Sequence, residues 1–197
     1  MPDLFDGKPA PADIVGDPDF NVTEFLYNHR PEITDPKIEK AIDYIYGKLG
    51  VHDIVATGYC FGGRYAFRLL NGDQGVSVGF AAHPSLLEDS EINAITGPVS
   101  VAAAGTCLQL SLPQEPMCNA CCTDLLCYHA EVDERLTPEQ RFNLEKLLTA
   151  TGETYSISLY SGTQHGFAVR ANISDPQQKF GKEEAFFQAV RFFDAWA

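Results

Sequence analysis

Short apolar runs alternate with amphipathic segments along most of the chain. Runs at residues 52–59, 76–82 and 97–104 are rich in small and branched apolar side chains, as strands buried on both faces of a parallel sheet are. A fourth run, 154–160, alternates apolar and polar positions and is also predicted to be a strand. Strands that alternate with helices predict an α/β fold, with a mostly parallel sheet covered by helices on both faces.

The segments between these runs have helical periodicity and helix end signals. Asp35 is predicted to cap a helix that has Pro36 in its first turn and ends at Gly50. Thr137 and Gln140 have the spacing of a capping box, which predicts a helix closed by Gly152. Further helices are predicted at 20–29, 60–70 and 179–196, and the last one is expected to turn three side chains inward: Phe186, Val190 and Phe193.

Chain length and net charge limit the domain number and the kinds of partner to expect. A chain of 197 residues suits one domain, here taken as 1–197. Its net charge of −13 argues against nucleic acid, because phosphate binding needs clustered Lys and Arg. The first residues lack the pattern of a signal peptide, and no apolar stretch approaches the roughly 18 residues of a membrane helix. We therefore expect a cytoplasmic protein without a membrane partner, monomeric or weakly dimeric.

The strongest chemical signal is Gly58-Tyr59-Cys60-Phe61-Gly62-Gly63, between a predicted strand and a predicted helix. This is the nucleophile-elbow pattern with cysteine as the nucleophile, and the glycines two residues away on either side are expected to avoid collisions with the adjoining strand and helix. The helix dipole contributes about 0.3–1 kcal/mol, less than one pKa unit, so it cannot alone make a thiolate. A histidine partner is therefore required.

His165 is the best candidate for that base, since it follows the last predicted strand and so lies at the same sheet edge as Cys60. His83, at the end of another strand, is the rival. Asp133 is the predicted orienting carboxylate, because it gives the chain order nucleophile–acid–histidine. Glu131 and Glu134 lie close enough in sequence to remain alternatives.

Three segments, 58–66, 82–85 and 159–170, together resemble the dienelactone hydrolase family, particularly its fungal branch. The resemblance implies the α/β-hydrolase fold and a Cys–Asp–His triad that cleaves a small lactone or carboxylic ester without a cofactor. In it Cys60 attacks the carbonyl, His165 moves the proton and Asp133 orients the imidazole.

The same resemblance implies further roles around the triad. The Phe61 N–H supplies half of an oxyanion hole. His83 is expected from its place at a strand end to line the pocket if it is not the base. Arg64 and Arg170 bind a substrate carboxylate, since guanidinium groups match its geometry, or else they form surface ion pairs.

Two departures from the family pattern leave other functions open. Strands that the family has before the segment at 2–5 are absent, so the domain is expected to be partial and could be a catalytically impaired relative that only binds small molecules. A Cys-rich insertion at 105–129, which could be translated non-coding sequence, interrupts the segment that leads to Asp133. It offers a metal-binding alternative, since possible thiolate and imidazole ligands cluster there: Cys107, Cys118, Cys121, Cys122, Cys127 and His129.

Overall fold

The computed structural model of the chain describes residues 1–11, 19–72, 74–105, 133 and 135–197. These residues divide into two compact units, 1–52 and 53–197. The assignment of one domain to the whole chain stays a prediction. Almost all of the Cys-rich insertion lies outside the described residues.

The first unit is helical. Helix α1 spans Val22–Asn28, and α2 spans Pro31–Tyr44 and continues into a π-helical turn, Ile45–Leu49. The predicted start of α2 at Asp35 is wrong: Pro31 occupies the first turn, where its missing N–H costs nothing, and Pro36 lies inside the helix. The predicted end is confirmed, because Gly50 adopts the left-handed conformation with φ of 66°.

The second unit is built on a four-stranded sheet. Strands β1 (Val55–Tyr59), β2 (Val78–Ala82), β3 (Val99–Gly105) and β4 (Tyr155–Ser161) are all parallel and lie in the order β1-β2-β3-β4. All four predicted strands are confirmed. Because the strands are parallel, their carboxyl ends share one edge, which is where open α/β sheets carry their ligands.

Among the described residues of this unit, five helices accompany the sheet: α3 (Phe61–Arg68), α4 (Asp89–Asn93), α5 (Pro138–Thr151), α6 (Phe167–Arg170) and α7 (Pro176–Trp196). The capping box of Thr137 and Gln140 is confirmed, and Gly152 ends α5 with φ of 77°. Two helices, α4 and α6, were not predicted, since at five and four residues they are too short for a periodic pattern. In the described part of the chain, no helix has both the length and the apolar character needed to cross a membrane.

Two apolar clusters lie on opposite faces of the sheet, as the α/β prediction requires. Phe67 of α3 and Leu144 of α5 pack with Val101 on one face. Ala185 and Ala189 of α7 pack with other strand residues on the opposite face. Successive β3 residues alternate between the two clusters, and the whole strand is buried.

Helix α7 faces the sheet with its small residues. Phe186 and Val190 are 59% and 38% exposed, so their predicted inward orientation is wrong, whereas Phe193 packs partly against the core as predicted. The buried positions are Gly181, Ala185, Ala189 and Phe192. A Cβ on Gly181 would lie 2.6 Å from a methyl group of Thr163, so the small side chains let the helix approach the layer beneath it closely.

Burial on the α3–α5 face predicts where a phenylalanine matters for stability. We expect Phe67→Ala, at a position with no exposed surface, to lower the free energy of unfolding by about 3–5 kcal/mol. The matched variant Phe142→Ala truncates a helical phenylalanine that is 63% exposed and should change it by less than about 0.5 kcal/mol. Denaturant unfolding of both variants measures the difference, and equal losses would contradict the assigned core.

Candidate active site

Cys60 occupies a strained turn between β1 and α3. Its φ of 52° and ψ of −117° lie outside the regions that L-residues ordinarily populate. Hydrogen bonds hold it there: its N–H donates to the Ala82 carbonyl at 3.1 Å, and its own carbonyl accepts from the N–H groups of Gly63 at 2.9 Å and Ser85 at 3.2 Å. The conformation of this turn therefore depends on residues at and after the end of β2 as well as on the connection between β1 and α3.

The glycines around Cys60 have unequal roles. A Cβ on Gly58 would overlap the carbonyl of Gly62, and one on Gly63 would lie 2.8 Å from the Cβ of Pro84. A Cβ on Gly62 would meet nothing within 4 Å beyond its own helix among the described residues. The predicted collision of a side chain at Gly58 is thus confirmed. On the helical side, the prediction for Gly62 is wrong, and the position without room for a side chain is Gly63.

The structure brings Cys60, His165 and Asp133 together from three separate segments. His165 lies between β4 and α6, and its Nε2 is 3.0 Å from the Cys60 sulfur. Its Nδ1 is 2.9 Å from Oδ1 of Asp133. One imidazole thus bridges a thiol and a carboxylate, which is the geometry of a nucleophile, a base and an orienting acid.

Backbone hydrogen bonds hold the Asp133 side chain in place in addition to its contact with His165. Its side chain is 2% exposed, and Oδ1 accepts hydrogen bonds from the backbone N–H groups of Arg135 at 2.9 Å and Leu136 at 3.1 Å. Burial raises the pKa of this carboxyl, but the hydrogen bond and charge of His165 and the two backbone bonds outweigh it and lower the pKa. The carboxylate therefore stays charged beside the imidazole. Glu131 and Glu134, its alternatives, lie outside the described residues.

The same contacts favour an ion pair between the sulfur and the ring. Burial raises the pKa of Cys60, yet the hydrogen bond and charge of His165, with smaller effects of Ser85 and the Phe61 N–H, bring it below its usual value. Burial lowers the pKa of His165, but Asp133 and Cys60 raise it to about 9. The opposite shifts favour thiolate and imidazolium at neutral pH.

Comparison with known proteins identifies the family of the chain. The family model of the dienelactone hydrolase family matches residues 1–197. The chain belongs to the dienelactone hydrolase family. It is 33% identical over 196 residues to Hydrolase pyvD of Aspergillus violaceofuscus, covering all of this chain and 68% of that protein. It is also 33% identical over 202 residues to Hydrolase tropI of Talaromyces stipitatus, covering 69% of that protein.

Solved structures of dienelactone hydrolase-like proteins share the fold. A candidate dienelactone hydrolase from Klebsiella pneumoniae superposes with a TM-score of 0.59 over 90% of this chain and 71% of that one. The two are 14% identical, so the match concerns the fold alone. The family match and the shared fold together show that the protein has the α/β-hydrolase fold and is a hydrolase.

His83 lies behind the base and not at the wall of the pocket. Its side chain is fully buried, and its ring centroid is 5.0 Å from that of His165 in an edge-to-face arrangement. Among the described residues neither ring nitrogen has a hydrogen-bond partner. Burial, with the charge of His165, lowers its pKa to about 3, so it stays neutral. The predicted contact with substrate is wrong because no surface of the ring is accessible.

The two arginines predicted to bind substrate differ in their surroundings. Arg64 donates through Nε to both carboxylate oxygens of Glu91, at 2.7 and 3.0 Å, and pairs with Glu88. The ion-pair alternative is therefore the one found for Arg64, whose donors are turned toward α4. Arg170 ends α6 on the exposed surface, and its role in binding a carboxylate stays a prediction.

Ser85 is a member of the site that sequence reasoning did not single out. Its Oγ lies 3.7 Å from the Cys60 sulfur, and its side chain is 5% exposed. The backbone N–H of Phe61 also contributes to lowering the pKa of Cys60, and its role in an oxyanion hole stays a prediction. The available signal was the position of Ser85 just after β2, next to the strand that ends at the elbow.

The metal-binding alternative falls on residues that the structure leaves undescribed. Cys107, the ligands between Cys118 and Cys127, and His129 all lie there. Within the described ranges, no group of three or more His, Cys, Asp or Glu side chains is placed to hold a metal ion. The Cys-rich metal module therefore stays a prediction.

The unequal glycines predict unequal effects on stability. We expect Gly63→Ala to lower the free energy of unfolding by about 1–3 kcal/mol, because the new methyl group must displace Pro84. Gly62→Ala, one residue earlier in the same helix, should be neutral or stabilising by up to about 1 kcal/mol, since alanine favours helix. Thermal and denaturant unfolding measure both, and a reversed order would contradict the close approach at Gly63.

The ion pair predicts the pH dependence of Cys60 alkylation. Because the pKa of Cys60 is lowered, its thiolate should persist below the pH at which an ordinary thiol is protonated, and iodoacetamide should label it rapidly at pH 7. His165→Gln removes the charge, so labelling should slow by roughly tenfold or more at pH 7 and recover only as the pH rises toward the ordinary thiol range. Peptide mass spectrometry follows Cys60 itself; equal profiles for the two proteins would refute the pair.

Proposed function

We propose that this protein hydrolyses a small lactone or carboxylic ester, with Cys60 as nucleophile, His165 as general base and acid, and Asp133 as the orienting carboxylate. The observation that carries the proposal is a single imidazole lying 3.0 Å from a thiol and 2.9 Å from a buried carboxylate. Membership of a hydrolase family supports the reaction class. The proposed chemistry needs no cofactor.

In the first half of the reaction, the Cys60 thiolate attacks the substrate carbonyl carbon and a C–S bond forms. The carbonyl oxygen becomes an oxyanion, toward which the Phe61 N–H is proposed to donate. When this intermediate collapses, the C–O bond breaks and the imidazolium of His165 gives its Nε2 proton to the departing alkoxide. The products are an alcohol and a thioester on Cys60; in a lactone the alcohol stays attached to the acyl group.

In the second half, neutral His165 takes a proton from water, and the resulting hydroxide attacks the thioester carbonyl. The C–S bond breaks, the sulfur leaves as thiolate, and a carboxylic acid is released. The proton on His165 then faces the thiolate again, so the resting ion pair is restored. Asp133 stabilises the imidazolium at both stages, and its buried, doubly hydrogen-bonded oxygen keeps the ring in position.

A groove of about 570 Å³ lies on the α7 side of the second unit. Phe186 and Phe187 of α7 line it together with Tyr59, the residue before Cys60, but neither Cys60 nor His165 lines it. The proposal of a small substrate therefore rests on the family and not on the volume of this groove.

Loss of the nucleophile tests the proposal. Cys60→Ala should reduce the hydrolysis of p-nitrophenyl acetate by roughly a thousandfold or more, because no covalent intermediate can form. The control Cys107→Ala removes a thiol outside the elbow pattern and should retain the activity of the unmodified chain. Hydrolysis by a folded Cys60→Ala protein at the full rate would overturn the proposed function.

A further inference from the structure

The turn that follows β2 begins with a strained residue and is held against the nucleophile elbow by two contacts. His83, its first residue, has φ of 38°, a conformation that costs free energy in any residue other than glycine. Pro84 packs where a side chain on Gly63 would otherwise stand. The Ser85 N–H donates to the Cys60 carbonyl at 3.2 Å. The place of Ser85 relative to Cys60 is therefore set by backbone contacts and does not depend on its side chain.

From this fixed backbone the Ser85 hydroxyl reaches the reacting sulfur. The two atoms are 3.7 Å apart, within hydrogen-bond range for sulfur, and the serine is buried to 5% exposure. A thiolate has no proton, so once the ion pair with His165 forms the hydroxyl must be the donor. The sulfur then receives hydrogen bonds from two side chains, through Ser85 Oγ and His165 Nε2.

We propose that Ser85 is a catalytic residue, whose hydroxyl donates to the Cys60 sulfur and stabilises the resting thiolate. The inference rests on the proposed function, because it concerns the sulfur that attacks the substrate. The remaining titratable groups around this sulfur do not replace it. His165 is itself a donor, Asp133 lies behind His165, and His83 is buried and neutral.

A donor to a thiolate has two opposite effects on its reactivity. It increases the fraction of cysteine that is ionised at low pH, and it withdraws charge from the sulfur, so that each thiolate attacks more slowly. Removing only the hydroxyl should therefore slow the reaction on the acidic side and accelerate it on the alkaline side. A residue that merely supports the fold would change the rate in the same direction at every pH.

The test is the rate of Cys60 alkylation by iodoacetamide between mildly acidic and alkaline pH, read by peptide mass spectrometry. For Ser85→Ala we expect labelling to be roughly threefold slower on the acidic limb and about two- to threefold faster on the alkaline plateau, so that its profile crosses that of the unmodified chain. Ser85→Thr, which keeps a hydroxyl, should restore the original profile. Ser85→Gly removes the hydroxyl with a smaller side chain and should repeat the crossing if the alanine variant does not fold.

Ser100→Ala is the matched control, since Ser100 is a buried serine whose hydroxyl accepts from Gln188 Nε2 at 2.8 Å, away from the sulfur. Its profile should not change. Profiles of Ser85→Ala or Ser85→Gly that coincide with the original, or that shift in one direction at all pH values, would overturn the role of Ser85. Alkylation requires no turnover, so a crossing profile in a protein that hydrolyses no ester would uphold the hydrogen bond from Ser85 to the sulfur and refute the proposed function, and with it a part for Ser85 in catalysis.

Discussion

The positive φ of Cys60 is the constraint on which the rest of the site depends. A residue held at 52° cannot continue either β1 or α3, so the chain reverses sharply and presents the sulfur at the carboxyl edge of the sheet. Three backbone hydrogen bonds, two of them shared with residues at or just after the end of β2, hold this conformation. The strain is thus balanced by the parallel pairing of β1 with β2, which ties the position of the nucleophile to the architecture of the sheet.

The parallel sheet also explains how distant segments supply the partners of Cys60. Each strand ends at the same edge, so the loop after β4 brings His165 to the sulfur and the turn after β2 brings Ser85. Asp133 is held by the N–H groups of the residues that precede α5. The charge of this fixed carboxylate raises the pKa of His165. The more basic imidazole in turn favours the thiolate form of Cys60 near neutral pH.

Much of this arrangement could be predicted from the sequence because its signals are local. Apolar runs identify strands, and a glycine-flanked cysteine between a strand and a helix identifies the elbow. Errors arose where the outcome depends on contacts between distant segments. The partners of Arg64 are in α4 and at its N-cap, and this helix is too short to predict. The position of His83 at a strand end did not show which way its ring points. The sequence pattern predicted that large residues of α7 face the sheet. Close packing on the sheet instead buries small ones such as Ala185. Ser85 was missed for the same reason: only the pairing of β1 with β2 shows that it faces the sulfur.

The central claim is that Cys60 becomes covalently attached to the acyl group of a substrate. Intact-protein mass spectrometry after rapid mixing with an activated ester, followed by peptide mapping, measures this directly among the six cysteines of the chain. The account predicts one acyl group per molecule, carried as a thioester on Cys60 and lost on continued incubation in water. A folded protein that stays unmodified at Cys60, or that carries the acyl group on another cysteine, would contradict it.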